Sequence, residues 1–183
     1  MVVEETHLKD CYVIKPQVFE DNRGYFFESF NAKKFQKATG ITIDFVQDNE
    51  SKSSKNVLRG LHFQVGDYEQ SKLVRVVQGA VIDVCVDLRE ESPTFGQSFS
   101  IELNQDNKKQ LFVPKGFAHG FVVLKDNTII NYKCDNFYHQ PSERGLIFND
   151  NDLNIDWGIS EDDAILSEKD KELPSLSEYL NEK

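Results

Sequence analysis

The sequence lacks most of the features that mark membrane, secreted or nucleotide-hydrolysing proteins. No run in its 183 residues approaches the ~20 consecutive apolar residues that a membrane-spanning helix needs. The opening MVVEETHLKD has neither the basic nor the apolar stretch of a secretory leader. The expectation is therefore a soluble, cytoplasmic protein. Cysteine is scarce: Cys11, Cys85 and Cys134 form an odd set without a C-x-x-C pair, which fits free thiols in a reducing compartment. P-loop, Rossmann and nucleophile-elbow glycine patterns are all missing, which disfavours P-loop hydrolysis and Rossmann-type hydride transfer. Metal ligands are sparse too. His62 is followed by Phe63 and Gln64, not by the second histidine and the glutamate of a metal-binding barrel, and His119 stands alone in Gly116-Phe117-Ala118-His119-Gly120-Phe121. Two histidines without a suitably spaced acid make a poor zinc or iron site, so no metal or other cofactor is expected.

Positive charge is also short. Thirty-one acidic residues face 21 basic ones, a net charge of −10, which argues against a broad electrostatic grip on nucleic acid or an anionic membrane. Residues 150–183 hold eleven acids and three lysines, a net of −8, leaving −2 for the first 149. A local basic cluster in that body can still hold a small anion. A hydrophobic content of 39% over this length supports one domain, 1–183, in which roughly 70% of the unfolded chain's surface can be buried.

Short β-branched and aromatic runs bounded by Gly, Pro, Asn or Asp fill residues 11–150. They predict strands at 12–19, 25–30, 41–47, 57–64, 72–78, 81–88, 97–103, 110–113, 119–123, 128–138 and 146–149. In VIDVCVDL, Ile82, Val84, Val86 and Leu88 share one face and Val81, Asp83, Cys85 and Asp87 the other. Gly79-Ala80 suits a tight hairpin to the preceding KLVRVVQG. Only two regions read as helical: 31–39, with Asn31 as N-cap and Gly40 as the stop, and the C-terminal tail, where Ser160 and Ser167 can cap short helices and Pro174 interrupts. The fold class expected is all-β, a jelly roll or related barrel with short helices near the N-terminal third and at the C-terminus.

The strongest chemical constellation is Asn56-Val57-Leu58-Arg59-Gly60-Leu61-His62-Phe63-Gln64. On a strict period of two, His62 and Gln64 face away from Arg59, unless Gly60 marks a bulge that turns Arg59 to the same side. A lone cavity histidine is more often a hydrogen-bonded structural residue than a base. Tyr132, Cys134 and Tyr138 share one face of a predicted strand, and Lys72 and Arg75 have opposite parity, so one of them points inward. A phenol in a cavity can pack, stack on a base or donate a proton. These residues alone describe a cavity for a small anionic ligand, with proton transfer open and the ligand unnamed.

Taken together, the motifs resemble the dTDP-4-dehydrorhamnose 3,5-epimerase family across the whole domain. The carriers are Phe19-x-Asp21-x-Arg23-Gly24-x-Phe26-x-Glu28, Phe45-Val46-Gln47-Asp48-Asn49, 57–64, Lys72-Leu73-Val74-Arg75, Val86-Asp87-Leu88-Arg89 with Ser92-Pro93-Thr94-Phe95-Gly96, 110–121, Tyr132-Lys133 and Ser167-Glu168-Lys169-Asp170. The resemblance implies a metal-independent, cupin-like jelly-roll homodimer that epimerises dTDP-4-dehydro-6-deoxy-D-glucose at C3 and C5. It implies His62 as base, Asp170 as the carboxylate orienting it, Tyr132 as acid and Lys72 as the cation at the enolate oxygen. It further implies Arg23 and Arg59 at the diphosphate, and Gln47, Asn49 and Glu28 at polar edges of the thymidine or sugar. His119 would lie close to the sugar, with Glu143 and Lys169 among the substrate contacts. Tyr138 and Phe26 would flank the base, Phe26 being offered by the partner subunit. Gly158 and His139 depart from the family's usual residues outside the catalytic set. An epimerase acting at one carbon, and a non-catalytic sugar-nucleotide-binding cupin, are the competing readings. Tyr132 favours double inversion over the first, and an acid and base together favour catalysis over the second.

Overall fold

The computed structural model describes residues 1–181. Its strands are β1 (Val2–Glu5), β2 (Tyr12–Lys15), β3 (Val18–Asp21), β4 (Gly24–Phe27), β5 (Gln47–Ser53), β6 (Leu58–Gln64), β7 (Lys72–Gln78), β8 (Ala80–Asp87), β9 (Ser98–Asn104), β10 (Gln110–Val113), β11 (Phe117–Val123), β12 (Thr128–Cys134) and β13 (Glu143–Gly145). The helices are α1 (Ala32–Thr39), α2 (Glu168–Lys171) and α3 (Leu176–Asn181). One antiparallel sheet runs β1-β2-β10-β7-β12-β5 and a second β13-β6-β11-β8-β9, while β3 and β4 form a separate hairpin. The two large sheets face each other as a cupin-like jelly roll and stay distinct rather than closing into one barrel.

Three apolar clusters hold these layers. Val74, Val76, Leu111 and Ile130 of the first sheet meet Val81, Cys85, Leu103, Phe117 and Phe121 of the second between the sheets. Outside the second sheet, Leu58, Leu61, Phe63, Val84, Val86 and Leu88 lie under Leu153, Trp157, Leu176 and Tyr179 of the C-terminal segment. Outside the first sheet, Tyr12, Ile14, Leu73 and Phe112 are covered by Phe35 of α1. The apolar face of β8 therefore looks outward, beneath the tail, and the face bearing Asp83 and Asp87 looks between the sheets; both carboxylates are fully buried.

Asn31 and Gly40 bound α1 as expected. The Asn31 side chain accepts from Lys34 N–H, and Gly40 takes a left-handed φ of 76°. Ser160 caps a 3-10 turn at Glu161–Asp163, and Ser167 caps α2. The run 12–19 is broken into β2 and β3 at Pro16, which cannot donate to a ladder. The strand expected at 41–47 lies further on, at Gln47–Ser53. Ile41, Ile43 and Phe45 alternate because they pack around Phe35 without a ladder partner, whereas the polar QDNESKS makes an edge strand against β12. The run 128–138 ends at Cys134, and 146–149 follows β13 without being a strand itself.

Register within β6 decides the shape of the site. His119 of β11 pairs with His62, but Phe121 pairs with Arg59, so β6 carries one extra residue and Arg59 turns to the same side as His62. Gly60 permits this: its φ is 116°, and a Cβ there would lie 2.6 Å from Gly120 Cα and 2.8 Å from the His119 carbonyl oxygen. Gly60→Ala should cost at least about 2 kcal/mol, because the clash is with backbone and the φ is unfavourable to L side chains. A urea melt that finds less than ~0.5 kcal/mol lost would contradict this account of the bulge.

Candidate active site

Inward-facing positions of the two sheets build one cleft with two lobes. A lobe of about 410 Å³ is lined by Arg59, His62, Lys72, His119, Phe121, Tyr132 and Asp170, among others. A lobe of about 260 Å³ adds Gln47, Asn49, Gln64, Tyr138 and Glu143, and shares His62, Lys72 and Tyr132 with the first. A larger hollow of about 680 Å³ lies beside Phe63, Leu88, Leu173 and Tyr179 and has neither histidine nor lysine in its wall.

Strand registers explain how the sheets present these groups. On the first sheet Lys72, Cys134 and Gln47 form one cross-strand row, and Val74, Tyr132 and Asn49 the next. On the second, His119 lies opposite His62, and Glu143 opposite Gln64. Lys72 faces inward, while Arg75, three residues on, belongs to the opposite face.

His62 Nε2 lies 2.6 Å from Oδ1 of Asp170, which is 108 positions away in sequence and 3% exposed. The carboxylate arrives on α2, whose Ser167 cap accepts from the Asp170 N–H. Burial pushes the Asp170 pKa up, but the His62 hydrogen bond and charge outweigh it and hold the carboxyl below its ordinary value. Across the cleft, burial raises the Tyr132 phenol pKa, with Cys134 and Glu143 adding to the shift and Arg59 opposing it. The phenol therefore stays protonated at neutral pH. Burial lowers the pKa of Lys72, opposed by Cys134, Asp83 and Glu143.

Around this centre, Arg59 donates to Ser53 Oγ at 3.3 Å. Gln47 donates to Asn49 and accepts from the Tyr138 N–H, and the Tyr138 hydroxyl donates to Glu143, which also pairs with Lys169. Tyr138 thus stands in a loop beyond β12, half-exposed yet tethered. His139 stacks on Tyr68 at 3.8 Å between ring centroids, and its N–H donates to Gln64. Gly158 occupies a tight turn with a φ of 69°.

Three residues of the expected set lie elsewhere. Arg23 sits in the β3–β4 turn, 85% exposed at its side chain and paired with Asp21. Phe26, on the same hairpin, is 69% exposed. Glu28 follows β4 and pairs with Lys34 and Asn31. None of the three lines the cleft of its own chain. Conversely, Asp83 was not expected at the site, yet its Oδ1 is 2.9 Å from His119 Nε2. The only hint in the sequence is an acid alternating with valines. Among the described residues, no three His, Cys, Asp or Glu side chains converge as a metal-binding group.

A family model described as dTDP-4-dehydrorhamnose 3,5-epimerase matches residues 5–178. The chain belongs to that family. Its relatives include the Escherichia coli K12 dTDP-4-dehydrorhamnose 3,5-epimerase, 50% identical over 180 residues that cover 98% of this chain and 97% of the relative. The crystal structure of the family enzyme from Elizabethkingia anophelis superposes with a TM-score of 0.94 at 57% identity, covering 97% of each chain. That of the Legionella pneumophila 3,5-epimerase, in complex with dTDP-4-keto-L-rhamnose, gives a TM-score of 0.92 at 45% identity, covering 96% of this chain and 93% of that one. The cupin-like fold and the isomerase class follow from membership of this epimerase family.

Because the Asp170 pKa is depressed in the folded chain, its contribution to stability is fully present above the ordinary carboxylate pKa near 4 and is lost as pH falls through the lower folded value. The gap in thermal midpoint between the unaltered chain and Asp170→Asn should therefore narrow on acidification below about pH 4. A gap independent of pH would contradict the charged pairing with His62.

Proposed function

We propose that the chain, acting as one cupin-type domain over 1–183, epimerises dTDP-4-dehydro-6-deoxy-D-glucose at C3 and C5 to dTDP-4-dehydro-L-rhamnose. The observation that carries this reading is the opposition across one cleft of an imidazole–carboxylate pair on one side and a protonated phenol with an ammonium on the other. C3 and C5 both flank the C4 ketone, so loss of either proton gives an enolate, and one centre of this kind suits both carbons.

In the mechanism, His62 removes the proton and Asp170 orients the ring and balances the charge it acquires. Lys72 places a cation at the developing C4 oxyanion, where a desolvated charge acts more strongly than in water. Tyr132, from the opposite sheet, returns a proton to the other face of the carbon. Delivery from the opposite side is what turns exchange into inversion. No cofactor is needed for this proton traffic.

Arg59 is the guanidinium for the diphosphate, its forked donors matching phosphate oxygens. His119 contacts the sugar, while Gln47, Asn49, Glu143 and Lys169 contact polar edges of the ligand and Tyr138 stacks on the thymine. Arg23, Phe26 and Glu28 serve the site of a second copy. The β3–β4 hairpin stands apart from both sheets and exposes Phe19, Tyr25 and Phe26, the surface of an arm that reaches a neighbour. The assembly proposed is a homodimer with Phe26 shared across the interface. Three buried free thiols fit the reducing cytoplasm, the compartment we assign.

His62→Ala should abolish turnover while leaving dTDP affinity nearly unchanged, as read by calorimetry; retained turnover would remove His62 as the base. Tyr132→Phe should still exchange substrate protons with solvent but form little inverted product. Unchanged stereochemistry would remove Tyr132 as the acid. A monomeric mass under native conditions would rule out the shared arm.

A further inference from the structure

Asp83 is a buried carboxylate with unfinished hydrogen bonding. It is 0% exposed and lies on the inner face of β8. Oδ1 meets His119 Nε2, but Oδ2 is the one buried side-chain oxygen or nitrogen without a hydrogen-bond partner among the described residues. Buried acids that serve the architecture of this protein are treated differently. Asp87, on the same face of the same strand, is filled by Arg89, Ser92 and Thr94. Asp150 takes the N–H groups of Asp152, Leu153 and Leu176. Among the described residues Asp83 caps no turn and ties down no loop, and its one side-chain hydrogen bond goes to a residue in the wall of the cleft. An unpaired buried acceptor is costly, so a purely structural origin leaves the residue unexplained.

Its surroundings point to the reaction. His119 lies directly opposite His62 on neighbouring strands, which sets the two rings side by side on one wall. Nε2 of each is engaged by a different carboxylate, Asp83 for His119 and Asp170 for His62. Lys72, facing them from the other sheet, lies within the electrostatic reach of Asp83. His119 lines the same cleft as His62, so a second imidazole beside the base faces the space that the sugar would occupy.

We propose that Asp83 is a positioning residue for the epimerisation: it fixes His119 as the Nε2–H tautomer, so that Nδ1 accepts from a hydroxyl of the sugar, and supplies the buried negative charge against which the Lys72 ammonium is held for the enolate. The inference rests on the functional reading above. Asp83 touches no substrate and acts through His119.

Asp83→Asn keeps the shape and can keep one acceptor for His119 Nε2 while removing the charge. It should lower kcat about 10- to 100-fold with KM and dTDP affinity within about twofold, in protein whose thermal melt shows it folded. The loss should not add to that of His119→Gln in the double variant, because both substitutions break one unit. Should Asp83→Asn fail to fold, ¹⁵N NMR of histidine-labelled unaltered protein, with His119→Gln for assignment, decides the point: an Nε2–H tautomer at His119 is expected. An unchanged kcat, additive losses or an Nδ1–H tautomer would overturn the proposal. Failure of the unaltered enzyme to turn over the dTDP-sugar would instead defeat the functional reading, leaving the tautomer to judge the Asp83–His119 pair on its own.

Discussion

The contact between His62 and Asp170 joins a strand one third of the way along the chain to the C-terminal segment, and much of that segment is organised to make the contact. The segment is laid along the start of β6 by Leu58 N–H donating to Ile165 and Ile165 N–H donating to Asn56. Trp157 donates from its indole to Phe148, and Asp150 draws in the Leu176 N–H. Beneath these bonds lies the apolar cluster outside the second sheet, so burial of Leu153, Trp157, Leu176 and Tyr179 is what holds the carboxylate against the imidazole. Stability of the tail and geometry of the His62–Asp170 pair are thus one property.

A jelly roll is suited to the opposing half of the requirement. Chemistry that inverts a carbon needs a base and an acid on opposite faces of a planar enolate, and two facing sheets provide two walls. The bulge at Gly60 adds Arg59 to the wall that already holds His62, so the guanidinium proposed for phosphate and the imidazole proposed as base come from one short strand. An overall net charge of −10 is compatible with binding an anionic ligand because the excess acid is concentrated in residues 150–183, of which Asp170 alone among the acids lines the cleft.

Much of this was legible from sequence where local chemistry and periodicity agreed. The caps at Asn31, Gly40, Ser160 and Ser167 each follow from residue type and spacing, whereas the sequence left open which of Lys72 and Arg75 points inward and whether Gly60 marks a bulge. Elements failed where tertiary packing imitated a local signal: Ile41, Ile43 and Phe45 alternate like a strand but pack around a helix, and the true strand beside them is polar because it is an edge. The pairing of His62 with Asp170 was accessible only through resemblance, since spacing carries no information about a contact 108 residues apart. Asp83 escaped because alternation sorts residues onto two faces without saying what covers either, and β8 is covered on both. The placement of Arg23, Phe26 and Glu28 away from the cleft is equally invisible in a linear pattern, because a hairpin's reach depends on what surrounds it.

The most direct test of the central claim is proton NMR of the purified protein with dTDP-4-dehydro-6-deoxy-D-glucose in deuterated water, with the product trapped by a rhamnose-forming reductase. The account predicts loss of the C3 and C5 proton signals and accumulation of reduced product. Exchange confined to one carbon, or none while dTDP binding is demonstrated, would contradict it.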